Sequence, residues 1–229
     1  MSELVGAQKF SLRLPWNSPF RYLGTGRSLG PTMWTELIEP LRVNQVGIID
    51  GWLPETTLGG LRAEILGRQK IFAAAGIGRG SSFQVNPTVR SDRLCWMDPQ
   101  SLTSPQAALF AALDTLRLAL NRSLFLGLRR FEGHLTIYPP GASYQKHLDQ
   151  HRNHRHRVVS FVLYLNRYWS PGRGGELRLF DHLAHEMPVQ DVPPLWGRMV
   201  VFFSDSVPHQ VLPTRQHRLS ATGWFRDDD

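Results

Sequence analysis

The sequence predicts an α+β domain in which helices buttress one face of a β-sandwich or distorted jelly roll. Two stretches with apolar residues at helical spacing occupy the first half of the 229 residues, and at least five strand-like runs follow Gly127. With 41% hydrophobic residues, the chain is long enough to bury one sizeable core.

Residues 1–41 include "LPWNSPFRYLGTGRSLGPT" and are expected to form an irregular extension beside a single domain spanning 42–229. "VGIIDGWLP" reads as a short strand ending in a turn. A helix follows, with Leu58, Leu61 and Ile65 at helical spacing. The next connection, "AAAGIGRGSSFQVNPTVRSD", is freed sterically by its glycines but has no GK[ST] after them, so it is not a phosphate loop. From Ala75 to about Val89 it reads either as a lid or as a plain surface loop. A second helix is expected with Ser104 as its cap, Pro105 in its first turn and a buried stripe of Leu109, Leu113, Leu116 and Leu120.

The later runs "HLTIY", "VVSFVLYL", "GELRLF", "MVVFF" and "HRLSATGWF" are rich in β-branched and aromatic residues and bounded by Gly, Pro, Asp or Asn. They predict an antiparallel multistranded sheet or barrel. In "VVSFVLYL", alternation puts Tyr164 on one face with Val158, Ser160 and Val162. Val159, Phe161, Leu163 and Leu165 form the more apolar face for helices to cover. No internal repeat or low-complexity tract is visible.

Lys+Arg exceed Asp+Glu by 26 to 19, a net charge of +7. Such a balance suits acidic partners, but the arginines are scattered rather than massed in a block, so solubility is the favoured reading and nucleic acid a secondary one. Cys95 is the only cysteine, which excludes an intrachain disulfide and suggests a buried, inert thiol. The first residues lack the charged-then-apolar order of a signal peptide, and no apolar run approaches the ~20 residues that span a bilayer, so a soluble, cytoplasmic protein is expected.

The stretch "YQKHLDQHRNHRHR", Tyr144 to Arg157, holds four of the nine histidines. His147 and Asp149 lie two residues apart, which on an extended segment points both to one side. His209, beyond "MVVFF" and just after Pro208, is the best candidate third ligand. Two imidazoles and a carboxylate on one face of an octahedral ion leave three neighbouring positions open, as in non-haem Fe(II) oxygenases. Nine residues after His209, Arg218 begins an alternating run whose one face carries Arg218, Ser220, Thr222 and Trp224. A guanidinium buried in a barrel needs an anion, and a dicarboxylate bound to the metal would provide it.

His147-Leu-Asp149, His209 and Arg218 resemble the metal and 2-oxoglutarate signature of Fe(II)/2-oxoglutarate-dependent oxygenases. "YPPGASYQKHLD", "VLYLNRYW", "GGELRLF", "GRMVVFFSDSVPHQVLP", "RLSATGWF" and "VRSDRLCWMD" are similar in order and spacing to the prolyl 4-hydroxylases acting on hypoxia-inducible factor and to their bacterial relatives. The likeness runs from about Val46 to Arg226. It implies a double-stranded β-helix core and dioxygenase chemistry using Fe(II), 2-oxoglutarate and O2, with ascorbate as reductant. By position it implies that Arg218 and Tyr164 hold the distal carboxylate of 2-oxoglutarate in a pocket lined by Thr222, Tyr138 and Leu177. Asp92, Tyr144, Arg157 and Trp224 would surround a protein substrate carrying the target proline. Bacterial relatives suggest a translation component such as an elongation factor as that substrate. The basic, histidine-rich "HRNHRH" departs from the animal enzymes, and His151, His154 and His156 are read as a solvated connection, with stray metal binding by the three as the alternative. Two rivals stand beside this reading: a nucleic-acid demethylase of the same superfamily, and a non-catalytic cupin-like metal-binding sensor.

Overall fold

The computed structural model describes residues 31–77, 84–150 and 155–229, with side chains from Trp34 onward. Three helices, α1 (Pro31–Asn44), α2 (Glu55–Gly67) and α3 (Ser104–Leu124), pack on one face of a seven-stranded antiparallel sheet. That sheet runs in the order β1 (Val46–Ile49), β9 (Met199–Phe203), β6 (Arg157–Tyr164), β11 (Arg218–Arg226), β4 (Arg130–Tyr138), β3 (Arg93–Trp96), β2 (Ala73–Ala74). A second antiparallel sheet, β5 (Tyr144–His147), β10 (His209–Val211), β7 (Leu177–Phe180) and β8 (Pro188–Val192), lies across its other face. The expected α+β architecture, two packed sheets buttressed by helices, is present and matches a jelly-roll core.

The core divides along the alternation of the large sheet. Leu135, Ile137, Val159, Phe161, Leu163, Val201, Leu219, Ala221 and Phe225 point to the helices, where they meet Leu58, Leu61 and Ile65 of α2 and the stripe Leu109, Leu113, Leu116 and Leu120 of α3. Each such leucine, fully buried, contributes on the order of 1.5–3 kcal/mol, and this face therefore supplies much of the fold's cohesion. Phe161 is its aromatic hub, with edge-on contacts to Trp52 and Phe131. The opposite face sends Tyr138, Val162, Tyr164, Val200 and Phe202 toward Leu177, Leu179, Val192 and Val211 of the small sheet.

Several expectations need correction. The segment from Pro31 to Leu41 is not irregular: it belongs to α1, and Leu37, Ile38 and Leu41 are buried in the helix-side core. Pro40 inside this helix removes a backbone donor and argues against helix locally. Burial of the three apolar side chains outweighs that local cost. Residues 1–30 lie outside the described residues. α3 is capped by Thr103 rather than Ser104, its hydroxyl accepting from the Gln106 N–H at 3.5 Å. Cys95 is half-exposed at the margin of the core rather than buried, because β3 sits near the edge of its sheet.

Val158 also departs from simple alternation. Phe225 of β11 pairs with Val159, but Arg226 pairs with Arg157, so Val158 is the extra residue of a β-bulge. Val158 packs toward the helix-side core instead of sharing a face with Tyr164. A bulge of this kind reverses the facing of the residue before it. Arg157, which strict alternation from Val159 would aim at the helices, is turned to the inter-sheet face and stacks over Trp224.

Candidate metal and cosubstrate site

Pairing of β5 with β10 sets His147 directly opposite His209, so strand register unites two imidazoles that are distant in sequence. Asp149 follows β5 and completes the group: its Oδ1 lies 3.5 Å from His147 Nε2 and its Oδ2 3.6 Å from His209 Nε2. The candidate ligand atoms of all three lie within 4.8 Å of one another. Each histidine directs Nδ1 at a backbone carbonyl, His147 at Gln145 O (2.7 Å) and His209 at Val207 O (3.1 Å). A carbonyl can only accept, so Nδ1 carries the proton and the Nε2 lone pair is free for a cation.

Electrostatics favour the same state. Burial alone would raise the Asp149 carboxyl, but the facing His209, His147 and the Ser160 hydroxyl hold it well below the usual carboxylate range. Burial, reinforced by the neighbouring His147 ring, pushes His209 down to about 4. At neutral pH the pair is therefore carboxylate and neutral imidazole, the forms that bind a metal. Two nitrogens and one oxygen grouped at one side fit a divalent first-row metal with open positions, and Fe(II) is such an ion.

Deeper between the sheets, the Arg218 side chain is fully buried. Its Nε donates to Gly175 O at 2.8 Å, and its guanidinium carbon lies 4.9 Å from the ring centres of both Tyr138 and Tyr164. Among the described residues no carboxylate stands within ion-pair distance of it. Tyr164 Oη is buried without a hydrogen-bond partner. Burial raises both phenols above their ordinary value, so they remain protonated donors. A buried cation next to an orphaned phenol is costly by itself, and a bound carboxylate would satisfy both. Leu177 is buried on the facing strand β7, and Thr222 lies half-buried on the Arg218 face.

Toward the mouth, Tyr144 stacks on His147 with ring centres 3.6 Å apart, and Arg90 covers the Tyr144 ring at 4.3 Å. Arg90 also grips both oxygens of the buried Asp92, at 2.8 and 2.7 Å. Arg157 lies 3.4 Å from the centre of the Trp224 ring and donates to Glu132 at 2.8 Å. All twelve residues singled out from the sequence thus fall on the inter-sheet face or its rim. His156 stands apart, exposed and paired with Asp227 at 2.9 Å, while His151, His154 and the centre of the Ala75–Val89 connection lie outside the described residues. The ends of that connection are joined by reciprocal bonds between Ile77 and Gln84, both 2.9 Å.

Sequence reasoning missed His134, Arg90, Gly175 and Ser204. Alternation could have found the first, since His134, Thr136 and Tyr138 share a face of β4. His134 is buried edge-on to Trp96 and Trp224, bonded to Thr136 Oγ1 at 2.8 Å, and pushed down to about 4 by burial and by Arg90. Arg90 has the same two-residue offset from Asp92 as His147 from Asp149. Gly175 and Ser204 carry no local signal, because other strands give them their roles.

The sequence profile of the 2OG-Fe(II) oxygenase superfamily matches residues 133–226. A crystal structure of a Pseudomonas putida prolyl-4-hydroxylase is 40% identical, covers 86% of this chain and is itself covered over 100% of its length, with a TM-score of 0.76. The Caenorhabditis elegans hypoxia-inducible factor prolyl hydroxylase is 31% identical over 147 residues, 61% of this chain and 20% of that protein. A mouse prolyl 3-hydroxylase is 38% identical over 76 residues, 30% of this chain and 14% of that protein. The chain therefore spans a fifth or less of those two curated relatives. The chain belongs to the 2OG-Fe(II) oxygenase superfamily of enzymes. It is closely related to that superfamily's prolyl hydroxylases.

Proposed function

We propose that this protein is a prolyl 4-hydroxylase of a protein substrate, coupling the hydroxylation to conversion of 2-oxoglutarate and O2 into succinate and CO2. One oxygen atom enters succinate and the other the proline. The observation that carries the reading is Arg218: a guanidinium buried with no carboxylate partner among the described residues, beside the unsatisfied Tyr164 hydroxyl and facing the second sheet, whose strands β5 and β10 carry His147 and His209. That combination would suit a small dicarboxylate, and it argues against a non-catalytic cupin-like metal-binding sensor, which would not need it.

His147, Asp149 and His209 would hold Fe(II), which when bound supplies the O2 activation that side chains cannot perform. Arg218 and Tyr164 fix the far carboxylate through charge-assisted hydrogen bonds, and Tyr138, Thr222 and Leu177 shape the pocket around the carbon chain. Tyr144, stacked on His147, keeps one side of the metal site covered. Arg157 and Trp224 would border the bound peptide, and Asp92, buried, would act through the Arg90 that it holds. Ascorbate is the reductant expected to restore Fe(II), and a cytoplasmic translation factor is the candidate target.

The 40% identity to a prolyl-4-hydroxylase supports the reading, while the mouse relative, named a prolyl 3-hydroxylase, makes the carbon attacked an experimental question. Mass spectrometry of host proteins, with and without the active protein, locates a proline that gains one oxygen, and amino-acid analysis against 3- and 4-hydroxyproline standards identifies the carbon. A proline gaining one oxygen at C4 is expected. Gain at C3 would move the reaction to the neighbouring carbon, and succinate formation stimulated only by methylated oligonucleotides would replace it with demethylation. Among the described residues, no helix is long and apolar enough to cross a membrane.

A further inference from the structure

We infer that Ser204 and Ser160 form a directed hydroxyl relay that orients the Asp149 carboxylate for metal binding, making both serines positioning residues of the metal centre. The inference rests on the proposed role of His147, Asp149 and His209 and goes beyond it.

Ser160, on β6, is buried and donates its hydroxyl proton to Asp149 Oδ2 at 2.6 Å. A serine has one proton to give. Its other close neighbour, Ser204 Oγ at 2.8 Å, must therefore donate to it, which fixes the direction of the chain from Ser204 to Ser160 to the carboxylate. Ser204 is itself fully buried, one residue beyond β9. Its backbone N–H donates to Val158 O at 3.0 Å, on the bulge, and its carbonyl accepts from Gln150 N–H at 3.0 Å, beside Asp149. Gln150 continues the clasp, its side-chain amide donating to Arg155 O at 2.7 Å and Arg157 O at 2.9 Å. One residue thus ties together the end of β9, the bulge of β6 and the loop that carries the carboxylate.

The arrangement has two chemical consequences. Donation to Oδ2 takes up one of that oxygen's lone pairs, whereas among the described residues Oδ1, 3.5 Å from His147 Nε2, accepts no side-chain hydroxyl. The relay therefore makes Oδ1 the better donor of the two and would hold the carboxylate in one orientation toward a metal. Hydrogen bonds in series also polarise one another, so loss of Ser204 should weaken the Ser160 bond rather than remove a separate interaction. Partners of metal ligands typically change metal affinity ~10–100-fold when removed.

The test is titration of the full chain with Mn(II), followed by the free-ion paramagnetic signal, for wild type, Ser160→Ala, Ser160→Thr, Ser204→Ala, the Ser160→Ala/Ser204→Ala double variant and Asp149→Ala. Ser160→Ala should bind Mn(II) roughly 10–100-fold more weakly, Ser204→Ala several-fold more weakly, and Ser160→Thr like wild type. The double variant should bind no more weakly than Ser160→Ala, because the relay acts through one bond. Additive losses in the double variant, or unchanged affinity in Ser160→Ala, would overturn the relay. Melting of the metal-free proteins separates this from packing: a relay predicts affinity losses in variants that still melt cooperatively, and should Ser160→Ala fail to fold, unchanged affinity in Ser204→Ala would overturn the relay. Equal Mn(II) affinity in wild type and Asp149→Ala would instead strike at the metal centre itself.

Discussion

The two faces of the large sheet obey the same alternation and end in opposite chemistry. On β11, Leu219, Ala221 and Phe225 face the helices, while Arg218, Ser220, Thr222 and Trp224 face the small sheet. The helix side is closed, with apolar groups that gain by leaving water. The inter-sheet side buries a guanidinium, a carboxylate, two histidines and a phenol whose oxygen has no partner. One face is uniformly apolar, and the other mixes buried polar groups that are paired, such as Asp92 with Arg90, with others such as Tyr164 Oη that are not. The separation predicts that substitutions on the helix side act on stability and those on the inter-sheet side on binding.

The largest expected effect is on the inter-sheet side. Asp149→Ala or His147→Ala should abolish Fe(II)-dependent succinate formation while the metal-free protein still melts cooperatively, as measured by coupled succinate assay and circular dichroism. Phe161→Ala, on the helix side, should cost ~3–5 kcal/mol in urea unfolding because it opens a cavity at the aromatic hub. The apparent KM for 2-oxoglutarate of its folded fraction should stay unchanged, and a rise there would show that the faces are coupled.

Arg218→Met should raise that KM ~100-fold, equivalent to the roughly 3 kcal/mol of a lost buried charge pairing. The same substitution should leave the cosubstrate-free protein as stable as wild type or more so, since it removes an uncompensated buried cation. A wild-type affinity in Arg218→Met would mean that the cosubstrate pocket lies elsewhere.

Acid should expose the cost of burying imidazoles. His134 is held down to about 4, against about 6.5 for an unfolded histidine. Between those values the unfolded chain binds the proton and the native one does not, so stability is present above pH ~6.5 and is lost as pH falls toward 4. For this buried group the loss is of order 3 kcal/mol at most. His134→Met should flatten that part of the stability-against-pH curve measured by chemical denaturation, and an unaltered curve would mean that His134 is accessible to protons in the native state. The smallest effect is expected for Tyr164→Phe, which removes an unsatisfied hydroxyl. Thermal stability without ligand should not fall, and 2-oxoglutarate affinity should drop several-fold, by ~1 kcal/mol.

Much of this division is legible in the sequence because alternation is local. Leu58, Leu61 and Ile65, the leucine stripe of α3 and, from Val159 onward, the two faces around Tyr164 follow from spacing alone. Segment α1 was hidden by Pro31, Pro40 and the Gly-rich stretch before it, and only long-range burial of Leu37, Ile38 and Leu41 makes it a helix of the core. The facing of Arg157, though not its candidacy, was hidden differently: alternation counts residues, whereas a bulge inserts one.

The sequence by itself determined the strand periodicity, the helix stripes and the identity of the candidate ligands, since these depend on side-chain type and on neighbours two to four residues away. Tertiary structure alone decided that His147 would stand opposite His209, that Val158 would bulge and turn Arg157 over Trp224, and that Ser204 would reach Ser160. The reason is physical. Register between strands is set by how whole sheets bury their faces, a constraint that no short window of sequence contains.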